Sequence, residues 1–295
     1  MKVLLTGAGG MLGSAFSVAL QDVELVCAGR SQLTVTEPRK LFTLIDEIRP
    51  SIVVNCAAHV DLEAAERDPD AAYSANWILP GILAAACRRQ HALIVHFSST
   101  GCYGREKQEP YSKEDPLRPT TVYHRSKVLG EDAIKEAGCE FLILRTGWLF
   151  GGGPTYAKNF VWKRLLEALT SERMISDASQ TGNPTFVGDV VRQTLLLVDL
   201  GLRGTYNCAS RGSVSRFEYV RRIVQTAGLP CSVEPTTTPF PRLARVSPNE
   251  AVVNHRLRLL GIDIMPEWGK AVDAYVTSLT AAPEWRAVSK GSLGA

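Results

Sequence analysis

Tyr123 and Lys127 lie four residues apart, a spacing that places two side chains on the same face of a helix. Earlier in the chain, three hydroxyl residues at positions 98–100 end an apolar segment. A phenol with a pKa near ~10 is a poor acid or base at neutral pH, but a nearby ammonium stabilises the phenolate and lowers that pKa. A hydroxyl can hydrogen-bond the same reacting oxygen. These residue types are therefore suited to proton donation at an oxygen atom.

A glycine-rich turn at the start of the chain has the pattern of a phosphate-binding turn. Residues 3–5 are apolar, Gly7, Gly10 and Gly13 follow at intervals of three, and residues 11–20 resemble a helix. A helix N-terminus carries partial positive charge, and a turn without Cβ atoms lets a pyrophosphate approach the backbone. We expect a bound dinucleotide, although three glycines can also form a plain tight turn. The expected contacts are Gly7, Gly9, Gly10, Met11, Leu12 and Gly13.

Apolar runs and helical segments alternate through the first half of the chain. Further buried strands are predicted at residues 23–28, 51–58, 93–98 and 141–145, and helices at residues 38–49, 71–89 and 126–137. This alternation predicts an α/β fold with a Rossmann-type, doubly wound parallel sheet. Ligands bind at the carboxyl edge of such sheets, where the hydroxyl residues 98–100 are expected to lie.

The pattern loosens beyond residue 150, and we expect a smaller C-terminal lobe that is partly interleaved with the first. Helices are predicted at residues 156–170, 188–200, 215–227, 249–260 and 268–279, and short strands at residues 173–176, 204–207 and 231–235. We assign residues 1–150 to a dinucleotide-binding domain, to which residues 180–210 return, and residues 151–280 mainly to a substrate-binding lobe. The tail at residues 281–295 is small and polar and is predicted to be disordered.

Composition argues against several classes of partner. The 295 residues are 45% hydrophobic and 21% charged, and a net charge of +3 is too small to indicate nucleic-acid binding. No apolar run approaches the ~20 residues of a membrane span, and the N-terminus lacks the pattern of a secretory signal. The seven cysteines include no C-x-x-C pair. We therefore expect free thiols in a reducing cytoplasm, and neither a membrane partner nor a zinc site.

Arg30 follows the second predicted strand, where a dinucleotide fold meets the adenosine ribose. An acidic residue there would bind the free 2′-hydroxyl of NADH, whereas a guanidinium can bind the 2′-phosphate of NADPH. We therefore expect NADPH as the cofactor, with NADH as the alternative. The competing interpretation of Arg30 is a solvated surface arginine.

The glycine turn, the hydroxyls after the fourth strand and the Tyr-x-x-x-Lys pair occur in the order found in the extended short-chain dehydrogenase/reductase family, which this chain resembles. Residues 145–151 (RTGWLFG) and 182–185 (GNPT) are similar to segments of the dTDP-4-dehydrorhamnose reductases within that family. The resemblance extends from Met1 to about Leu279. It implies a sugar-nucleotide oxidoreductase of deoxysugar and polysaccharide biosynthesis. The implied reaction is NADPH-dependent reduction of the 4-keto group of a nucleoside-diphosphate 4-keto-6-deoxyhexose, with dTDP as the expected nucleotide.

The resemblance also assigns roles to individual residues. Alignment with the related dehydratases places Ser99 on the catalytic hydroxyl, with Tyr123 as proton donor and Lys127 as its partner. The dehydratase acid pair falls on Thr100 and Gly101, which cannot protonate a leaving hydroxyl, so a dehydratase is disfavoured. Two alternatives remain, an NAD-dependent sugar-nucleotide 4-epimerase and a non-catalytic regulatory subunit with the same fold.

The chain departs from the family pattern at positions near the expected substrate. Thr100 and Gly101 replace the usual Asp-Tyr, and His124 replaces the glycine that usually follows the tyrosine. Ala15 stands where some members have a glutamate that helps bind magnesium at a dimer interface, so we predict no metal and leave monomer or homodimer open. The implied substrate contacts are Ser99, Thr100, Gly101, Tyr123, Trp148 and Asn159. The residues implied to contact the cofactor are Ala57, Ala58, Tyr123 and Lys127. A core position is the alternative for Trp148.

Overall fold

The computed structural model describes residues 1–238 and 240–292. The strands are β1 (Lys2–Thr6), β2 (Glu24–Ala28), β3 (Ile52–Asn55), β4 (Leu93–Ser99), β5 (Phe141–Thr146), β6 (Leu149–Phe150), β7 (Arg173–Asp177), β8 (Thr181–Gly182), β9 (Thr185–Phe186), β10 (Gly204–Asn207), β11 (Val214–Ser215) and β12 (Ser232–Thr236). The helices are α1 (Met11–Ala19), α2 (Pro38–Ile48), α3 (Leu62–Arg67), α4 (Pro69–Tyr73), α5 (Leu79–Gln90), α6 (Val122–Ala137), α7 (Phe160–Thr170), α8 (Val187–Asp199), α9 (Arg216–Thr226), α10 (His255–Leu259), α11 (Trp268–Ala281) and α12 (Pro283–Ser292).

A six-stranded parallel sheet in the order β2-β1-β3-β4-β5-β10 confirms the predicted Rossmann-type fold. Strands β3 and β4 are buried along their whole length, as expected for parallel strands covered on both faces. The strand order reverses direction between β1 and β3. A crevice forms at the carboxyl ends of the strands at such a reversal, and this crevice contains the candidate site.

Helices cover the two faces of the sheet. On one face, Phe16 of α1 and Leu197 of α8 pack in the same apolar cluster. On the other face, Leu41 of α2, Leu83 of α5 and Ile134 of α6 pack against the sheet. Each helix presents an apolar stripe to the sheet, which is why the helical periodicity was visible in the sequence.

The second half of the chain contributes to both lobes. Helix α8 packs on α1, and β10 pairs with β5, so part of this half completes the first sheet. The remainder forms a smaller lobe around aromatic residues, with Phe150, Tyr219 and Tyr275 within one cluster. Its strands form two-stranded pairs, of which β7 with β12 is the longest. The predicted domain boundaries remain a prediction.

Two local predictions differ from the structure. The tail predicted to be disordered forms α12 at Pro283–Ser292. The buried Trp285 holds this helix, because its ring packs edge-on against Trp162 with 5.9 Å between the ring centroids. Residues 293–295 of the predicted tail lie outside the described part of the chain. The helix predicted at 249–260 forms only at His255–Leu259. Residues 249–252 instead make β-bridges, to Thr181 and to Tyr111, in which backbone hydrogen bonds replace those of a helix.

The long helix predicted at residues 71–89 is present but changes its winding. A π-helical turn at Ser74–Ile78 joins α4 to α5, directly before Pro80. Proline has no N–H to donate, so a locally wider turn at this point accommodates the missing bond. Among the described residues, no helix is long and apolar enough to cross a membrane.

Candidate active site

One cavity of about 1330 Å³ lies along the carboxyl edge of the sheet. This volume exceeds the ~300–1,000 Å³ of most small-molecule pockets, which is consistent with two ligands bound side by side. The glycine turn, the Tyr123–Lys127 pair and residues of the smaller lobe all line it. The groups that the sequence suggested for dinucleotide binding and for proton transfer therefore lie in the same cavity.

The glycine turn is built by close backbone packing. Gly7 has φ +69°, and a Cβ there would lie 2.6 Å from the backbone nitrogen of Ala57, so only glycine fits. A Cβ on Gly13 would overlap the Gly7 carbonyl. Gly9 has no atom within 4 Å of its Cβ position and borders the cavity. Helix α1 begins here with no acidic side chain in its first turn, so its N-terminus suits a pyrophosphate.

All six predicted residues of this turn line the cavity, as do Arg30, Ala57 and Ala58. Arg30 begins a single 3₁₀ turn after β2, and its side chain is exposed. Within the part of the chain that the structure describes, the guanidinium has neither an ion pair nor a hydrogen bond. Arg30 is therefore free to bind an anion at the end of the cavity formed by β1 and β2.

Tyr123 and Ser99 meet at the centre of the cavity. Ser99 is the last residue of β4, and Tyr123 lies in the first turn of α6, whose N-cap is Thr121. Both side chains line the cavity. Burial raises the pKa of Tyr123, an effect that Cys102 and Glu250 reinforce and the Ser99 hydroxyl opposes. The lowered pKa expected from the lysine is not found, because desolvation outweighs other influences on this phenol.

Lys127 lies one helical turn after Tyr123 and is 2% exposed. The Lys127 Nζ atom is 3.5 Å from His96 Nε2. The other ring nitrogen, His96 Nδ1, is 3.0 Å from the Asn55 amide nitrogen. The Thr6 hydroxyl in turn donates to Asn55 Oδ1 at 2.6 Å. These buried residues connect the ends of β1, β3 and β4 to the lysine. Burial lowers the pKa of Lys127 to about 8, against the opposing effect of Cys102, Glu131 and Cys56.

Sequence reasoning missed Thr6, Asn55 and His96. They lie in apolar strand segments, and a single polar residue within a strand gives no sign of which partner it will meet. Burial lowers the pKa of His96 well below its usual value, so the imidazole is neutral beside Lys127.

Helix α6 is held by buried polar contacts on both sides of Lys127. Glu131 accepts from Arg145 Nε at 2.9 Å and Nη2 at 2.7 Å, and Arg145 Nη1 donates to the Tyr103 hydroxyl at 2.9 Å. Both members of the ion pair are almost fully buried. On the other side, the Asn76 amide donates to Ser126 Oγ at 3.0 Å. These contacts fix α6 against the sheet and against the π turn.

Trp148 marks the end of the cavity at the smaller lobe. It has φ +45°, an uncommon conformation for a bulky residue and one that is often found at functional sites. Its Nε1 donates to Glu250 Oε2 at 2.9 Å, and the Arg216 guanidinium stacks 3.4 Å from its ring centroid. Burial lowers the pKa of Arg216 to about 10, so it remains charged at neutral pH. The half-buried indole lines the cavity, which supports the functional interpretation over a core position.

Three of the substrate contacts implied by resemblance lie outside the cavity. Asn159 is fully buried, caps α7 and donates to the Tyr275 hydroxyl at 2.7 Å, so its amide is occupied within the smaller lobe. Thr100 is 1% exposed, and its hydroxyl faces Gly147. Gly101 is also buried and is covered by His124 and Glu250. These three residues therefore do not form the expected surface for a sugar.

Arg216, Arg242, Glu250 and His124 line the cavity without having been assigned to it from the sequence. Arg216, Arg242 and Glu250 come from segments far from the sequence motifs, and no spacing connects them to those motifs. His124 directly follows Tyr123, but the sequence identified it only as a departure from the family pattern. Within residues 1–238 and 240–292, there is no group of three or more His, Cys, Asp or Glu residues that could hold a metal ion.

Comparison with known proteins agrees with this geometry. Residues 1–281 match the family model described as RmlD substrate binding domain. The dTDP-4-dehydrorhamnose reductase of Mycobacterium tuberculosis is 34% identical over 282 residues, which cover 92% of this chain and 91% of that protein. The crystal structure of a dTDP-4-dehydrorhamnose reductase from Clostridium acetobutylicum is 32% identical, has a TM-score of 0.90, and the match covers 95% of this chain and 100% of that one.

A dTDP-4-dehydrorhamnose reductase from Bacillus anthracis, solved in complex with NADP, is 30% identical with a TM-score of 0.89. The match covers 94% of this chain and all of that one. The family match and the relatives each extend over most of the chain. The chain therefore belongs to the dTDP-4-dehydrorhamnose reductase family, whose members contain the RmlD substrate-binding domain.

Proposed function

We propose that this protein is an NADPH-dependent reductase of the 4-keto group of a dTDP-linked 4-keto-6-deoxyhexose, the reaction implied by the names of its relatives. The observation that carries the proposal is the position of Tyr123, Ser99 and Lys127 in one cavity with the glycine turn. A phenol, a hydroxyl and an ammonium at one point supply the groups that the reduction of a ketone needs.

The cofactor would occupy the part of the cavity formed by the first lobe. The backbone N–H groups after Gly7 would bind its pyrophosphate, and the free guanidinium of Arg30 would bind a 2′-phosphate. When bound there, NADPH supplies the hydride that the carbonyl carbon needs. The open Cβ position at Gly9, which borders the cavity, fits this role because it lets a ligand approach the backbone of the turn.

The chain's own residues supply the proton. The Tyr123 hydroxyl donates a proton to the carbonyl oxygen as its charge develops, while the Ser99 hydroxyl hydrogen-bonds that oxygen. The raised pKa of Tyr123 keeps the phenol protonated at neutral pH, which is the state a donor requires. The Lys127 ammonium stabilises the negative charge that remains on the phenol oxygen after donation.

The smaller lobe would hold the nucleotide-sugar diphosphate. Arg216 and Arg242 both line the cavity, and neither has an ion-pair partner among the described residues. Two guanidinium groups without ion-pair partners are suited to a diphosphate, because each can donate two parallel hydrogen bonds to the oxygens of one phosphate. Trp148 lines the same cavity as Arg216, which stacks 3.4 Å from its ring centroid, and the indole would contact the sugar from there.

Purified protein should consume NADPH stoichiometrically when it is given dTDP-4-dehydrorhamnose. Tyr123→Phe should lower kcat by about 10²- to 10⁴-fold while leaving the Kd for NADPH unchanged, because only the proton donor is lost. Sugar interconversion without net NADPH consumption would instead indicate an epimerase. Full activity of Tyr123→Phe would remove Tyr123 from its role. The proposal includes a cytoplasmic location and a monomer or homodimer, without membrane or nucleic-acid partners, and these remain predictions.

A further inference from the structure

His124 follows the proton donor directly and faces the same cavity although it is only 2% exposed. Its backbone N–H donates to Thr121 Oγ1 at 3.1 Å, and the same oxygen lies 2.9 Å from His124 Nδ1. Because Oγ1 accepts from the backbone, its own proton is available for Nδ1. The neutral ring then has its proton on Nε2. Burial lowers the pKa of His124, against the opposing effect of Glu250, which agrees with a neutral ring.

Gly101 and Glu250 define the surroundings of this Nε2 atom. A Cβ on Gly101 would lie under 3.0 Å from both His124 Nε2 and Glu250 Oε1. The two atoms therefore lie beside the same point at the Gly101 backbone, and only glycine leaves room there for both side chains. Glu250 is 7% exposed, and its other oxygen is held by the Trp148 indole.

Neither His124 Nε2 nor Glu250 Oε1 has a hydrogen-bond partner in the part of the chain that the structure describes. Both residues line the cavity, and a polar atom there without a protein partner is available to a ligand. One atom is a donor and the other is an acceptor. A hydroxyl group is the simplest ligand that satisfies both, because it accepts one hydrogen bond and donates another.

We propose that His124 Nε2 and Glu250 Oε1 form a binding site for a sugar hydroxyl next to the reacting carbonyl. The proposal rests on the proposed function. In a 4-keto-6-deoxyhexose, C4 has two carbon neighbours, C3 with a hydroxyl and C5 with the methyl group and the ring oxygen. Since His124 is adjacent to the residue that protonates the C4 oxygen, the bound group is the C3 hydroxyl, which accepts from His124 and donates to Glu250.

This pairing also explains two departures from the family pattern together. The imidazole of His124 covers Gly101, so a side chain at position 101 would overlap the ring and the Glu250 carboxylate. Glycine at 101 and histidine at 124 therefore depend on each other. This chain uses that space for a hydrogen-bonding pair.

A double-mutant cycle between protein and substrate tests the contact. His124→Leu and the wild type are each assayed with dTDP-4-dehydrorhamnose and with its 3-deoxy analogue. Removing either the His124 imidazole or the C3 hydroxyl of the substrate should lower kcat/KM by about 10- to 100-fold. Removing both should lower kcat/KM little further than removing one. His124→Gln, which can place an amide N–H near the position of Nε2, should recover most of the activity. The Kd for NADPH should be unchanged in both variants.

Gly101→Ala provides an independent variant, because its methyl group displaces His124 without deleting it, and it should show the same loss. The exposed His255 gives a matched control, and His255→Gln should have wild-type kinetics. Losses that add fully across the cycle, or a His124→Leu enzyme with wild-type kcat/KM, would overturn the contact while leaving the proposed function intact. A wild-type protein that consumes no NADPH with the parent substrate would refute the proposed function, and with it this site.

Discussion

Arg30 offers the sharpest test of cofactor choice, because its guanidinium does not help to hold the fold. The side chain is exposed and has no ion pair or hydrogen bond within the described residues. The turn that it begins is held instead by Gln32, whose side chain accepts from the backbone N–H of Gly29 at 2.9 Å. Arg30→Ala should therefore leave the fold unchanged and alter only the binding of ligands.

The expected size of the effect follows from the charge and exposure of Arg30. A hydrogen bond to a charged group contributes about 1.5–3 kcal/mol to binding. Water screens an exposed guanidinium, so the lower end of that range applies. A loss of ~1.4 kcal/mol corresponds to a roughly tenfold higher Kd for NADPH. NADH has no 2′-phosphate, and its Kd should change by less than about twofold.

Fluorescence titration of the wild type and the variant with each cofactor measures both constants. Added salt should weaken NADPH binding to the wild type more than to Arg30→Ala, because salt screens the attraction between guanidinium and phosphate. Arg105→Ala is the matched control, since Arg105 is exposed and does not line the cavity. An equal rise in the Kd values for NADPH and NADH would refute the assignment of Arg30 to the 2′-phosphate.

Two further predictions concern helix α6, which contains Lys127 and Glu131. Glu131→Gln should lower the free energy of unfolding by about 3 kcal/mol in urea titrations, because it leaves the buried Arg145 charge unpaired. Glu140→Gln, at an exposed ion pair, should cost less than about 1 kcal/mol, and equal losses would contradict the role of burial. With its pKa lowered to about 8, Lys127 should lose its charge as pH rises through that value, and kcat/KM should fall with it. Lys127→Arg should move this decline to higher pH, whereas a wild-type profile that stays flat up to about pH 10 would exclude the ammonium from the rate.

Local patterns accounted for much of the fold and for the centre of the site. The glycine turn, Arg30 and the Tyr123–Lys127 pair are each defined by neighbours within a few residues. Their elements also lie in an order that leaves a parallel sheet as the natural arrangement, so their meeting at one edge follows from topology. The six-stranded sheet and the lining of the cavity agree with that reasoning.

Contacts between distant segments could not be predicted in the same way. Arg216 and Glu250 reach the cavity from the smaller lobe, and only packing around Trp148 brings them together. The raised pKa of Tyr123 depends on how deeply it is buried, which the spacing of Tyr123 and Lys127 does not reveal. The order in the tail depends similarly on the packing of Trp285 in the apolar cluster of the smaller lobe.

The cavity draws its two halves from different parts of the chain. The glycine turn and Lys127 belong to the sheet-bearing lobe, whereas Arg216 and Glu250 belong to the smaller one. On the proposed function, substitutions of Arg216 or Glu250 would alter binding of the nucleotide sugar and leave the groups for hydride and proton transfer in place. The two kinds of residue could then be varied separately by mutagenesis, except at Ser99 and His124, which reach the sugar from the sheet-bearing lobe.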